Sequence, residues 1–272
     1  MPVIIQIRAD DQHNGYYEIV VKQADDQIVT LNVSEDVLVH NELRKGLEIT
    51  DHQLMSLSSE AENVKAYLAA IHYLSYRMRS CQEVKNYLKK KEYSTEQIDY
   101  ALTRLQKEGL LDDHAFAAAF VRTRIQLSTK GPKMIYRELL QAGVDQEIAE
   151  EAEELYPVED QLDHARKYLR KKLTSVKNKK SLLEATQILS RLLMQRGFSR
   201  EITVRVIGEI SEFLAENEQN ALAYLGEKAM QKYKKYSGDE FLQKVKSFLY
   251  RKGFPLSDIT SFLEDHTNQN ES

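Results

Sequence analysis

A mainly α-helical chain is predicted, built as four tandem three-helix repeats in an elongated, curved array behind a small N-terminal β-strand-containing region. Three observations predict it. From Glu60 onward apolar residues recur at helical spacing. A leucine stands four residues before a glycine at Leu139–Gly143, Leu193–Gly197 and Leu249–Gly253. The first 57 residues instead carry short β-branched runs separated by turn residues.

In that first region, 1–57, Val3 to Ile7 is one short run, Tyr16 to Lys22 a second and Gln27 to Val33 a third. Asn14-Gly15 precedes the second run, and both residues tolerate the positive φ a tight hairpin needs. Asp25-Asp26 suits the next turn. Ser34 then reads as the N-cap of a helix from Glu35 to about Leu43, ended by Gly46. A three-stranded meander with small helices results, and Ser56 to Ser59 reads as the linker to the helical repeats.

Beyond it, Val64, Tyr67, Leu68, Ile71, Leu74 and Met78 share one apolar face. Val84, Tyr87 and Leu88 make the next, and Ile98, Leu102 and Leu105 a third. The leucine–glycine pairs mark the ends of corresponding helices. An apolar residue follows each glycine (Val144, Phe198, Phe254), and a capping residue or proline comes next (Asp145, Ser199, Pro255). The order suits a left-handed glycine closing one helix and a side-chain cap opening another. The first copy has Leu88, then Glu92 in the glycine's place, then Tyr93 and Ser94. Copies are spaced by about 51 to 56 residues, which gives three-helix units at 60–110, 111–156, 157–213 and 214–266 and a disordered tail at 267–272. Asp112 is expected to cap the helix that opens the second unit, with Asp113 at the positive end of that helix.

The net charge of -4 hides an alternation. Residues 61–137 carry 14 basic and 8 acidic groups, 138–160 carry 0 and 9, and 161–200 carry 11 and 2. Basic blocks fall mainly on the first two helices of a unit, so stacked units would align them into a stripe able to attract phosphates or an acidic protein surface. The candidate contacts are Arg77, Arg79, Lys85, Lys89, Lys90 and Lys91 in the first unit, then Lys130, Lys133 and Arg137 in the second. The third unit adds Arg166, Lys167, Arg170, Lys171, Lys177, Lys179 and Lys180. Solvated helix faces are the competing reading of any one of these lysines.

No catalytic centre, cofactor site or metal site is read. Lys130-Gly131-Pro132-Lys133 lacks the spaced glycines of a phosphate loop, the seven histidines are scattered, and Cys81 alone cannot make a thiolate zinc site. Cys81 suits a helix start; a thiol made reactive by nearby Arg79 is the alternative. Tyr67, Tyr87 and Tyr168 fall on or near apolar faces and read as core. With 42% hydrophobic and 29% charged residues the chain can bury a core. No apolar run reaches the roughly 20 residues of a membrane span, Met1 to Asp10 lacks a signal pattern and cysteine is single, so a soluble cytoplasmic monomer with no membrane partner is expected.

The segment Tyr73-Leu74-Ser75-Tyr76-Arg77-Met78-Arg79-Ser80, followed by Glu83-Val84 and Leu88, is similar to the RecX family of recombination regulators. The similarity continues through Leu105 to Gly109, Leu110-Leu111-Asp112-Asp113-His114-Ala115-Phe116-Ala117, Lys130-Gly131, Glu138-Leu139 and Gly143-Val144, and is strongest over about residues 66 to 150. Glu92 departs from the family's usual glycine. The resemblance implies a three-helix-repeat fold without catalytic residues and a modulator of the RecA recombinase in recombination, DNA repair and the SOS response. It further implies a protein lying in the groove of the RecA–DNA filament and usually restraining its ATPase and strand exchange, with single-stranded DNA, and duplex DNA besides, as further partners. An independent helix-turn-helix DNA-binding regulator is the alternative, although a sequence reader is expected to dimerise on one recognition helix. A tetratricopeptide-like scaffold has the wrong period, roughly 34 residues.

Overall fold

The computed structural model describes residues 1–11 and 13–270, and these hold thirteen helices behind a three-stranded sheet. Two compact units are present, one formed by Met1–Ala117 with Gln141–Ile148, the other by Ala118–Leu140 with Ala149–Ser272.

In the first unit β1 (Val3–Ala9), β2 (Tyr16–Lys22) and β3 (Ile28–Ser34) make an antiparallel meander in sequence order. The two turns fall where the turn residues stand, with Gly15 at φ 79° and Asp26 at φ 62°. Alternation places Ile19, Val21, Leu31 and Val33 in the core beneath the sheet. Ser34 caps α1 (Glu35–His40) by accepting from the Val37 amide. That helix stops earlier than the expected Leu43, at Asn41 and the left-handed Glu42 (φ 49°). Gly46 does not end it. Its amide donates to the Ile4 carbonyl (2.8 Å), bringing the 46–48 segment alongside β1.

The expected linker at Ser56–Ser59 is instead the interior of α2 (Asp51–Leu74), which begins nine residues before Glu60. Two things override the serines' local preference for turns. Thr50 and Gln53 form a reciprocal capping box, and Leu54, Leu57 and Ala61 have the sheet's apolar face to cover. Further along, the same helix gives Val64, Tyr67 and Ala70 to a second core with Val84, Leu88, Ile98 and Leu105. A boundary at residue 57 would therefore cut a helix that serves both cores. Met78, expected on that helix's apolar face, lies beyond its end and is exposed.

Next along the chain come α3 (Cys81–Lys90) and α4 (Thr95–Lys107) of the first unit, then α5 (Asp113–Leu127), α6 (Pro132–Gln141) and α7 (Gln146–Glu154), most of whose residues belong to the second. Ser80 with Glu83, and Ser94 with Gln97, form capping boxes, while Asp112 accepts from the amides of His114 and Ala115. In the second unit α8 (Val158–Val176), α9 (Leu182–Gln195) and α10 (Arg200–Ala215) share one core, centred on Leu169, Leu189, Leu193 and Val206. The last three helices, α11 (Glu218–Tyr233), α12 (Gly238–Arg251) and α13 (Leu256–Asn270), share another around Val245, Leu249, Phe254 and Ile259. The expected tail at 267–272 thus overlaps α13, and residues 271–272 lie outside the described residues.

The leucine–glycine motif is a helix-ending device. At Gly197 (φ 94°) and Gly253 (φ 92°) the next residue's amide reaches back to the motif leucine, Phe198 to Leu193 (3.1 Å) and Phe254 to Leu249 (3.4 Å). Glu92 takes the same left-handed conformation (φ 65°), and Tyr93 reaches Leu88 in the same way (3.3 Å). The departure from glycine changes the residue and leaves the helix end intact.

Neighbouring contacts explain where glycine is required. A Cβ on Gly143 would stand 2.3 Å from Cβ of Gln82, one on Gly197 2.6 Å from the Met134 nitrogen, and one on Gly253 2.9 Å from the Leu183 side chain. Glu92 is exposed and keeps only the conformational cost. A left-handed L-residue costs about 1–2 kcal/mol, part of which glycine returns through its freer unfolded chain. Glu92→Gly is therefore expected to raise stability by about 0.5–1 kcal/mol, seen as a higher urea midpoint at unchanged slope. An unchanged midpoint would count against this account of the motif.

Each glycine also belongs to a junction of one design. In the first unit the Ser80 hydroxyl, at the start of α3, donates to the Ala142 carbonyl (2.5 Å). In the second unit the Gly131 amide, at the start of α6, donates to the Arg196 carbonyl (2.8 Å), and the Ser181 hydroxyl, at the start of α9, donates to the Lys252 carbonyl. Every acceptor immediately precedes a left-handed glycine. An unsatisfied C=O at one helix's end thus meets a donor at another's start, a serine hydroxyl in two junctions and a backbone N–H in the third, with dipole ends of opposite sign brought together. Carboxylates complete two of the three: Asp113 accepts from the Cys81 amide (2.8 Å) and Glu218 from the Leu182 amide (2.6 Å).

Candidate functional site

The sixteen basic candidates divide by what their side chains already do. Several are committed internally. Arg77 grips Glu83 through two bonds (2.6 and 3.2 Å) and also donates to the Met78 carbonyl. Arg79 lies over the Tyr73 ring, 4.2 Å from its centroid, and Tyr73 stacks in turn on Tyr87 at 4.1 Å. With its side chain only 16% exposed, Arg79 is a packing residue at the start of α3. Lys130 pairs with Glu138, which also binds Arg124 at 2.6 Å. Arg166 holds Glu209 through two 2.7 Å bonds and Asp163 at 2.8 Å. Lys180 pairs with Glu184 at 2.8 Å.

The electrostatics follow from these pairs. Burial pushes the Glu138 carboxyl up, but Lys130 and Arg124 outweigh it and hold it below the usual range. Glu184 behaves alike, held down against burial by Lys180 and Lys252. Burial, reinforced by the charge of Asp113, raises the Cys81 thiol. This overturns the reactive-thiol alternative: Arg79 faces Tyr73 and Glu83, whereas Asp113 reaches the cysteine.

A second set is not gripped by a carboxylate in this way, although the charge of Lys133 reaches Glu153 of α7 and opposes the effect of burial there. Lys89, Lys90 and Lys91 are exposed in the last turn and cap of α3, where a helix's carbonyl end favours cations; Lys91 lies over Tyr87 at 5.9 Å. Lys85 is partly exposed one turn earlier. Lys133 and Arg137 stand a turn apart on the outer face of α6, and Lys167, Arg170 and Lys171 on that of α8. Lys179 is exposed in the turn after α8, while Lys177 lies over the Phe213 ring at 4.8 Å. Exposed cations thus stand on α3 in one unit and on α6, α8 and the following turn in the other.

Three elements of this surface escape sequence reading. Asp113 looks like a dipole residue of its own helix, yet its carboxylate caps a helix 32 residues earlier. Tyr67 reads as plain core, yet its hydroxyl donates to Glu108 (2.5 Å), which Arg104 also holds (2.9 Å) while lying over the rings of Tyr67 and Tyr16. Burial leads in raising that phenol, and the Glu108 bond adds to it. Lys228 and Tyr224, joined by a 2.7 Å bond on α11, lie outside the densest basic blocks. Among the described residues no helix is long and apolar enough to cross a membrane.

Comparison with known proteins places this scaffold. Three family models match: RecX, first three-helix domain, at residues 66–105; RecX, second three-helix domain, at 112–152; and RecX, third three-helix domain, at 216–263. Helices α8 to α10 fall between the second and third matches. Regulatory protein RecX of Halalkalibacterium halodurans is 39% identical over 97% of this chain and all of its own length. That of Oceanobacillus iheyensis is 40% identical over 97% of this chain and 98% of its own. A crystal structure of regulatory protein RecX superposes with a TM-score of 0.65 at 29% identity, covering 76% of this chain and 98% of that one. RecX from Lactobacillus salivarius gives 0.51 at 30% identity, over 55% of this chain and 96% of its own. Similarity that runs from the sheet to the last helices, and exceeds a third of residues across nearly the whole length, shows that the chain belongs to the RecX family of regulatory proteins.

Proposed function

We propose that this chain is a non-enzymatic regulator of recombination and DNA repair, acting in the cytoplasm as a monomer that binds the RecA nucleoprotein filament and restrains its ATPase and strand exchange. Membership of a regulatory family carries the reading, and the unpaired exposed cations of α3, α6 and α8 give it a physical means. Such cations release counterions from a phosphate backbone and steer association with it. The working organisation is the N-terminal region followed by three-helix repeats at about 60–110, 111–156, 157–213 and 214–266. Lys89, Lys90, Lys91, Lys133, Arg137, Lys167, Arg170, Lys171 and Lys179 face DNA or acidic recombinase surfaces. Arg77, Arg79, Lys130, Arg166 and Lys180 hold the helices that present them.

Titrating the protein into RecA on single-stranded DNA tests this directly. ATP turnover should fall as the protein approaches filament stoichiometry, and turnover unchanged at every ratio would overturn the reading. Lys89→Gln/Lys90→Gln/Lys91→Gln should weaken binding and lower the salt slope by about 0.7 per lost single-strand phosphate contact. An unaltered slope in a folded triple variant would make those lysines solubilising only. A discrete duplex footprint without RecA would favour a helix-turn-helix regulator instead.

A further inference from the structure

A cationic surface of the second unit lies where the α8–α9 turn crosses the joint between α10 and α11. Two contacts fix that crossing. Lys177 sits over the Phe213 ring of α10 at 4.8 Å, and the Leu182 amide at the start of α9 is held by Glu218 at the start of α11 (2.6 Å). On the outer face of α11, Tyr224 accepts a 2.7 Å bond from Lys228, whose ammonium also lies 4.5 Å from the centre of the Tyr224 ring. The Tyr224 hydroxyl is held below its usual range, by the Lys228 bond first, with Lys179 and Lys180 contributing from the turn. The turn and α11 therefore share one field.

Charge there is unbalanced. Lys180 and Lys252 share the Glu184 carboxylate, while Lys177, Lys179 and Lys228 have no acidic partner among the described residues. Two aromatic rings stand among these cations with more than a third of their surface exposed, Phe213 at 39% and Tyr224 at 37%. Along the same two helices Val206, Leu214, Ala221, Leu222 and Leu225 are buried, while Val204 of α10 is exposed well away from these lysines in sequence.

We infer that this patch binds a single-stranded nucleic acid, with Lys177, Lys179 and Lys228 on successive phosphates and Phe213 and Tyr224 stacking unpaired bases. Lysines alone would suit any polyanion. Aromatic faces among them select a strand whose bases are free, because paired bases in a duplex expose no stacking face to a side chain. The inference rests on the nucleic-acid part of the proposed function, and it joins the segment between the second and third matched domains to the start of the third.

Fluorescence anisotropy with a labelled oligo-dT strand, over a series of salt concentrations, tests it. Lys179→Gln/Lys228→Gln should lower the salt slope by about 1.4, two single-strand phosphate contacts. Tyr224→Ala should weaken binding on the order of tenfold, the loss of one base stack, while Tyr224→Phe, which keeps the ring and loses the Lys228 bond, should stay within about twofold of the original. Thermal melts of the variants verify folding. Equal affinities for Tyr224→Ala and Tyr224→Phe, or an unchanged slope in the double lysine variant, would overturn the assignment. Should Lys89→Gln/Lys90→Gln/Lys91→Gln weaken oligo-dT binding while these variants do not, this patch alone is refuted. Should the unaltered protein fail to bind oligo-dT at low salt, the patch and the direct DNA contact fall together.

Discussion

Gly131→Ala is expected to destabilise the protein by about 3 kcal/mol. The added methyl would stand 2.4 Å from the Gly197 carbonyl carbon, 2.5 Å from the Phe198 nitrogen and 2.6 Å from the Gly197 oxygen. All three are backbone atoms, so no side chain can turn aside. Separation would break the Gly131 amide bond to Arg196 and the Lys133 amide bond to Gly197 (3.1 Å), exposing or orphaning both pairs. Gly197→Ala meets the same wall from the other side, 2.6 Å from the Met134 nitrogen, and adds the strain of φ 94°. Both changes disrupt one contact, so the double variant should cost less than the sum of the singles. Hydrogen exchange at the Gly131 and Lys133 amides should accelerate more than at the amides of β2. A Gly131→Ala protein with the original urea midpoint would refute the close approach.

The same pair shows what a sequence can and cannot reveal. Glycines 143, 197 and 253 announce themselves by their place after a leucine, because a left-handed helix end is a local event. Gly131 carries no local signal of its constraint, since its conformation needs no glycine and the backbone that crowds it lies 66 residues away. Strand positions and several caps were legible for the local reason: Asn14-Gly15, Ser34, Ser94 and Asp112 act on neighbours within a few residues. The expected linker at Ser56–Ser59 fails for the opposite reason, tertiary burial of Leu54 and Leu57 outweighing a weak local preference.

Charge was legible as density and illegible as availability. Lys85 to Lys91 and Arg166 to Lys172 read alike as basic blocks, yet Arg166 is consumed by Glu209, 43 residues on, whereas Lys167, Arg170 and Lys171 are left to solvent. Pairing depends on which helix packs beside which, and a one-dimensional count carries no such information. Lys228 shows the converse: a modest block becomes notable because the fold sets it with Tyr224 beside the Lys177–Lys180 turn. A stripe argued from blocks must therefore be rebuilt from the residues whose charge remains unspent.

Phe254→Ala is expected to cost about 3–5 kcal/mol, the range for emptying an aromatic site in a packed core. Phe254 is 2% exposed and closes the last cluster with Leu222, Val245, Leu249 and Ile259. Its amide also ends α12 by reaching Leu249, so a collapsing cavity would pull on the helix end together with the core. Tyr93 occupies the same place in the motif but is only partly buried, and its hydroxyl merely touches the Lys65 carbonyl at 3.4 Å; Tyr93→Ala should cost about half as much or less. Location matters as well as size. The last three helices hold a core distinct from the one shared by α8 to α10, and stacked repeats lose stability locally before globally. Hydrogen exchange in Phe254→Ala should therefore rise through α11 to α13 while β1 to β3 keep their protection. Equal loss in the sheet and in the last helices would show that the chain unfolds as one cooperative body, and would remove the reason to treat the C-terminal core as separately tunable.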